Sequence, residues 1–125
     1  MKKIVNSPLA PAAIGPYSQA VIVNDTIYVS GQLPIDAQTG EFVEGTLKDK
    51  FTQIFKNIGY ILNEGGFDFC DVVKTTVYLT DMSDFAEMNE VYAQFFKEPY
   101  PARVAYAVKT LPKNSVAEVE VIASK

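Results

Sequence analysis

The sequence predicts an α+β two-layer sandwich: one mostly antiparallel sheet with two helices on one of its faces. Three observations carry that expectation. β-Branched, partly alternating stretches recur along the 125 residues. Two intervening stretches switch to a helical apolar period. Each of those has a single apolar stripe, so both can cover the same face of one sheet.

Taken in order, Lys3 to Val5 can form a short strand. After the proline-rich "SPLAPAAIGPYS", Gln19–Val23 and Thr26–Ser30 read as a hairpin, with Asn24-Asp25 as its tight turn. "PIDAQTGE" reads as a loop turning near Gly40. From Thr46 the apolar residues Leu47, Phe51, Ile54, Phe55, Ile58, Ile61 and Leu62 recur at helical spacing, against Lys48, Gln53, Lys56 and Asn57. Thr46 with Asp49 makes a capping box, and Gly65-Gly66 a stop.

"VVKTTVYL", residues 72–79, is a strand. Strict alternation puts Val73, Thr75, Val77 and Leu79 on one side, with Val72, Lys74, Thr76 and Tyr78 on the other. Ser83 or Asp84 can cap a second helix striped by Phe85, Met88, Val91, Tyr92, Phe95 and Phe96, which Pro99 and Pro101 end. Strands follow over Arg103–Lys109 and Val116–Ala123, joined by "TLPKNS". In the last strand Ala117, Val119, Val121 and Ala123 share one side, and Glu118, Glu120 and Ile122 the other. The faces carrying Tyr78 and Glu118 are too apolar for open water and too polar for a dry core. A sheet face of that kind suits a subunit interface, so a homo-oligomer is expected.

Composition narrows the chemistry. The length suits a single domain, residues 1–125. No histidine is present, which removes Ser-His-Asp and Cys-His arrangements, His-ligated zinc and imidazole acid–base work. The one cysteine, Cys70, excludes an internal disulfide and a multi-cysteine metal cluster, and reads as a small buried hydrophobe. No oxygen-ligand motif for a metal appears. The net charge of −4, with no cluster of Lys and Arg, does not indicate a nucleic-acid surface. No apolar run approaches the ~20 residues of a membrane span. "MKKIVNSPLAP" lacks an apolar signal core, so a cytoplasmic location is expected.

Chemistry must then come from carboxylates, hydroxyls, cations and backbone groups. Arg103, in "PYPARVAY", sits at the mouth of an apolar strand, where a guanidinium needs an anion. That anion is either Glu118 or Glu120, ordering the last hairpin, or a carboxylate brought by a ligand. Glu118 and Glu120 share a strand face, where one member of a carboxylate pair can hold a raised pKa for acid–base work; the alternative is a solvated face. Tyr17 after "GP", and Ser30-Gly31 at a strand end, offer hydroxyl or backbone donors, or are a turn and a satisfied edge. Asn89, on the aromatic-rich helix, faces solvent or reaches a neighbouring subunit.

Five segments in order, "APAAIGPYSQA", "YVSGQLP", "VVKTTVYLTDMSDFAEMNEVYAQFF", "PARVAYAVKTLP" and "AEVEVIA", resemble the successive signatures of the reactive intermediate deaminase family, the RidA/YjgF-type proteins. The resemblance implies a chorismate-mutase-like fold and a homotrimer whose sheets form a central barrel, with sites in the clefts between subunits. It also implies cofactor-free hydrolysis of 2-imino acids, such as 2-iminobutanoate and 2-iminopropanoate, to 2-oxo acids and ammonia. Those imines are products of pyridoxal-phosphate-dependent serine and threonine dehydratases. Residue by residue, Arg103 matches the arginine that clamps the substrate carboxylate, and Glu118 the glutamate that holds or activates water. Tyr17, Ser30, Gly31 and Asn89 match cleft-lining positions. Ala105 stands where the family commonly has a cysteine, which alters pocket shape while leaving the backbone carbonyl in place. Two other expectations remain: a trimeric protein that binds small carboxylates without turnover and, disfavoured by the acidic balance, a ribonuclease or translation inhibitor.

Overall fold

The computed structural model describes residues 1–125. Its main sheet has six strands: β1 (Lys3–Val5), β2 (Ala20–Val23), β3 (Thr26–Gln32), β6 (Val72–Leu79), β7 (Ala102–Ala107) and β8 (Ala117–Ser124). They lie in the order β1-β2-β3-β8-β6-β7, all neighbours antiparallel except β6 and β7. Helices α1 (Leu47–Glu64) and α2 (Phe85–Phe95) pack on one face. The β6–α2–β7 segment is the crossover that makes the one parallel pair. The expected α+β layering therefore holds, with β1 present as a three-residue strand.

Local chemistry sets the helix ends. Thr46 Oγ1 accepts from the Asp49 amide at 3.2 Å, and Asp49 Oδ2 accepts from the Thr46 amide at 2.9 Å, closing the capping box. The Thr46 amide, and after it the Thr46 hydroxyl, hold the Asp49 carboxyl below its usual range. At the other end the Gly65 amide donates to the Ile61 and Leu62 carbonyls, and Gly66 turns the chain out at φ +83°. Neither Ser83 nor Asp84 caps α2 through its side chain. Asp81 instead accepts from the Ser83 amide at 2.9 Å, capping a 3₁₀ turn over Met82–Asp84 that leads into the helix.

The core lies between the helices and the sheet. Phe51, Ile54, Phe55, Ile58, Ile61 and Leu62 of α1 are fully buried against Val77, Val119 and Val121. Each such side chain contributes about 1.5–3 kcal/mol by leaving water. Where α1 meets α2, the Phe55 ring packs edge-on to Tyr92 and Phe96, with centroids 5.8 Å away in both cases.

Four further expectations are corrected. Asn57 is buried rather than on the polar side of α1, because its amide donates to the Leu33 and Ile35 carbonyls at 3.2 and 2.9 Å. The segment read as a loop carries a small ribbon, β4 (Ile35–Asp36) with β5 (Glu41–Phe42), turned at Gly40 with φ +73°. Val72 is buried and Val73 exposed, the reverse of strict alternation: Val72 pairs with Ala123 and Lys74 with Ile122, so Val73 is the extra residue of a β-bulge. Cys70 is exposed, because the 3₁₀ turn Phe69–Asp71 turns Phe69 in against Phe95 and Phe96 and leaves Cys70 out.

The face of the sheet away from the helices is open. Ile4, Tyr28, Val104 and Tyr106 are exposed there, and Tyr28 alternates with the core residues Ile27 and Val29. Neither helix is long and apolar enough to cross a membrane.

Candidate active site

Arg103 is exposed on β7, at the edge of the sheet, not enclosed as its apolar neighbours in sequence suggest. β7 pairs in parallel with β6 so that Arg103 lies beside Thr75, Ala105 beside Val77 and Tyr106 beside Tyr78. Thr75 and Val77 are fully buried under the helices, so Arg103 and Ala105 share the helix-side face. There α2 receives the guanidinium. Nη1 donates to Asn89 Oδ1 at 2.6 Å, and the guanidinium carbon lies 4.8 Å from the Tyr92 ring centroid and 5.3 Å from that of Phe85. Phe85, Asn89 and Tyr92 are spaced i, i+4, i+7 along α2, which stacks them on one side of the helix. No carboxylate approaches Arg103; the chain's one ion pair joins Lys48 to Glu90. The cation is thus held by neutral groups and keeps its full charge for an incoming anion.

Glu118 begins the open face of β8, opposite Tyr78 on β6. It is half-buried, and its carboxyl is pushed up first by desolvation and then by the neighbouring charge of Glu120. The Tyr78 hydroxyl donates to Glu120 Oε1 at 3.2 Å. Burial, followed by the Glu120 charge, raises that phenol to about 12, so Tyr78 stays a neutral donor at physiological pH. Glu120 is occupied in this way, whereas Glu118 has no such partner within the chain.

β3 bends around Glu118. Val29 pairs with Val121 and Gln32 with Val119, so Ser30-Gly31 carries an extra residue against β8. A Cβ placed on Gly31 would lie 2.7 Å from the Glu118 carboxyl carbon, so glycine is what lets that side chain keep its position, and a larger residue would push it aside. Ser30 Oγ donates to the Ser18 carbonyl at 2.6 Å. Tyr17 and Ser30 line the same cleft of about 590 Å³, whose walls include Gly15, Tyr28 and Lys2. Buried Gln19 secures the approach: its side chain accepts from the Ser7 amide at 2.7 Å and donates to the Ser7 and Pro11 carbonyls at 3.1 and 2.9 Å. Sequence reading passed over Gln19, although an amide abutting the apolar run of a strand was a usable signal.

The predicted residues therefore fall into two groups. Arg103, Asn89 and Ala105 lie on the helix side at the β7 edge. Glu118 and Gly31 lie together at the β3–β8 bulge, with Tyr17 and Ser30 on the adjoining cleft. Neither Glu118 nor Glu120 is the salt-bridge partner of Arg103, because register places them on the opposite face of the sheet. One chain does not bring Arg103 and Glu118 to a common ligand. No three His, Cys, Asp or Glu side chains converge as a metal-ligand set.

Against known proteins, the family model described as Endoribonuclease L-PSP matches residues 7–125. The chain belongs to this family, the RidA/YjgF family. The human protein named 2-iminobutanoate/2-iminopropanoate deaminase is 49% identical over 123 residues, covering 98% of this chain and 90% of its own. Two RidA/YjgF-family crystal structures superpose throughout. RidA from the Antarctic bacterium Psychrobacter sp. has a TM-score of 0.94 at 48% identity, covering 98% of this chain and 99% of its own. E. coli TdcF with bound serine has a TM-score of 0.93 at 40% identity, covering 98% of both chains.

Proposed function

We propose that the protein hydrolyses small 2-imino acids to 2-oxo acids and ammonia, in a site completed between copies of the chain. The observation that carries this reading is the Arg103 guanidinium, fixed by an amide and two ring faces and matched by no carboxylate of its own chain. Such a fork takes a planar carboxylate through two parallel hydrogen bonds. The serine bound in the TdcF structure carries a carboxylate of that kind, and the human relative's name specifies this substrate class.

The Arg103 and Glu118 groups occupy opposite faces of one sheet, so a second copy must supply the missing half. The exposed residues of the open face and the unpaired outer edge of β7 favour a closed assembly, for which a homotrimer is our reading.

With the substrate carboxylate on Arg103, a water held by the Glu118 carboxylate attacks the imine carbon. Glu118 takes the water's proton and returns it to the substrate nitrogen. Glu118 then takes the hydroxyl proton of the tetrahedral adduct and passes it to the amino nitrogen as the carbon–nitrogen bond breaks, releasing ammonia and leaving the 2-oxo acid. The raised pKa of Glu118 suits a group that both accepts and gives that proton. The remaining rate gain comes from holding imine and water together.

The test adds the purified protein to a pyridoxal-phosphate-dependent dehydratase acting on threonine and follows release of 2-oxobutanoate. Acceleration that Arg103→Ala abolishes supports the reading. Binding of 2-oxobutanoate by calorimetry without acceleration replaces it with a carboxylate-binding protein. RNA cleavage that persists in purified Arg103→Ala protein, with no acceleration, replaces it with a nuclease.

A further inference from the structure

Beneath the Arg103 cradle lies a pair of hydroxyls that the chemistry above does not use. Thr75 is fully buried and sits directly beside Arg103 across the β6–β7 ladder. Its Oγ1 is 2.9 Å from the Tyr92 hydroxyl, and Tyr92, only 6% exposed, presents its ring to the guanidinium 4.8 Å away. Packing alone does not ask for these oxygens. A valine and a phenylalanine would fill the same space, and replacing both members of a buried hydrogen-bonded pair by apolar isosteres is close to neutral for stability. What the bond adds is orientation. A phenolic oxygen makes its hydrogen bonds near the ring plane, so tying it to the stiff, β-branched Thr75 fixes both the end and the tilt of the ring.

We propose that Thr75 and Tyr92 are positioning residues for Arg103: their hydroxyl bond sets the tilt of the Tyr92 ring, and the ring sets the plane in which the guanidinium meets a small 2-imino or 2-oxo carboxylate. The proposal rests on the reading of Arg103 as the carboxylate clamp. It extends the site one layer inward, from Arg103 to α2 and from α2 to the core strand β6. Asn89 fixes one nitrogen of the fork, and the Phe85 and Tyr92 rings fix its plane. Two-point recognition depends on that plane more than a point charge would.

The test compares Thr75→Val, Tyr92→Phe, the double variant and Thr75→Ser with the unaltered protein. The readouts are calorimetric affinity for 2-oxobutanoate, KM and kcat on dehydratase-generated imine, Tm, and the Arg103 Nε–H resonance. Each single variant is expected to weaken 2-oxobutanoate binding and raise KM about three- to tenfold, the range set by one net hydrogen bond. The kcat stays within about twofold and the Arg103 resonance moves. Thr75→Ser restores the bond and the affinity. The double variant loses no more than either single one, because both break the same bond. Wild-type affinity in both single variants, additive losses in the double, or a fall in Tm with affinity unchanged overturns the proposal. Those outcomes leave the clamp reading intact provided Arg103→Ala abolishes binding. Wild-type binding by Arg103→Ala overturns the clamp reading itself.

Discussion

Gly31→Ala isolates the placement of Glu118 from its chemistry. The added Cβ would lie 2.7 Å from the Glu118 carboxyl carbon and 3.0 Å from its Cγ. Comfortable carbon–carbon contact begins near about 3.5 Å, so the carboxylate must retreat by roughly 0.8 Å. Gly31 is not among the glycines with positive φ, so alanine suits the backbone there. Alanine stabilises by restricting the unfolded chain, about 0.4–1 kcal/mol. Moving the half-exposed Glu118 off its rotamer costs about 0.5–1.5 kcal/mol. These nearly cancel, and Tm is expected within roughly 3 °C of the unaltered protein. Activity is not protected in the same way. A displacement approaching 1 Å at a reacting group costs on the order of 10²-fold. We therefore expect kcat/KM on dehydratase-generated imine to fall about 10- to 100-fold, equivalent to about 1.4–2.7 kcal/mol of transition-state stabilisation. Affinity for 2-oxobutanoate through Arg103 should change far less. Activity within twofold of the unaltered protein would refute the argument, since the position of Glu118 would then not matter to the reaction.

Two further substitutions test neighbouring claims. Glu118→Gln removes a carboxylate that burial disfavours when charged, so the variant should lose turnover while its Tm at pH 8 equals or exceeds that of the unaltered protein. With its pKa raised in the fold, Glu118 favours stability below its unfolded pKa and loses that contribution as pH rises through the folded value. The Tm difference should accordingly vanish toward pH 4, and a difference that grew on acidification would contradict the assignment. Asn57→Ala strips the Leu33 and Ile35 carbonyls of their side-chain donor. It should cost about 2 kcal/mol, lowering Tm by roughly 6–10 °C in thermal denaturation, and an unchanged Tm would show that the β3–β4 bend holds without it.

The elements legible in the sequence were those whose physics is local. Thr46, Asp49 and Gly65-Gly66 define α1 through bonds spanning a few residues, and Val72–Leu79 forms the strand read from its β-branched run. What escaped depended on partners distant in the chain. Asn57 looked like a surface residue because its acceptors are more than twenty positions away. The bulges at Val73 and at Ser30-Gly31 exist only relative to β8, so alternation within one strand could not reveal them. The same limit applies to the site. Period-two counting orders residues within a strand, but only cross-strand register says whether Arg103 on β7 and Glu118 on β8 share a face. The register shows that they do not.

The opposed placement of Arg103 and Glu118 has a genetic corollary. If each reaction centre borrows one residue from either neighbour, then Arg103→Ala and Glu118→Gln are recessive lesions at different ends of the same junction. Two inert preparations, unfolded and refolded together in equal amounts, would regain function wherever an intact arginine meets an intact glutamate. In a closed ring with random assembly that is about a quarter of the junctions, half the chance for each neighbour. The chain would encode half of a catalyst twice over, and two defective alleles could complement within one assembly.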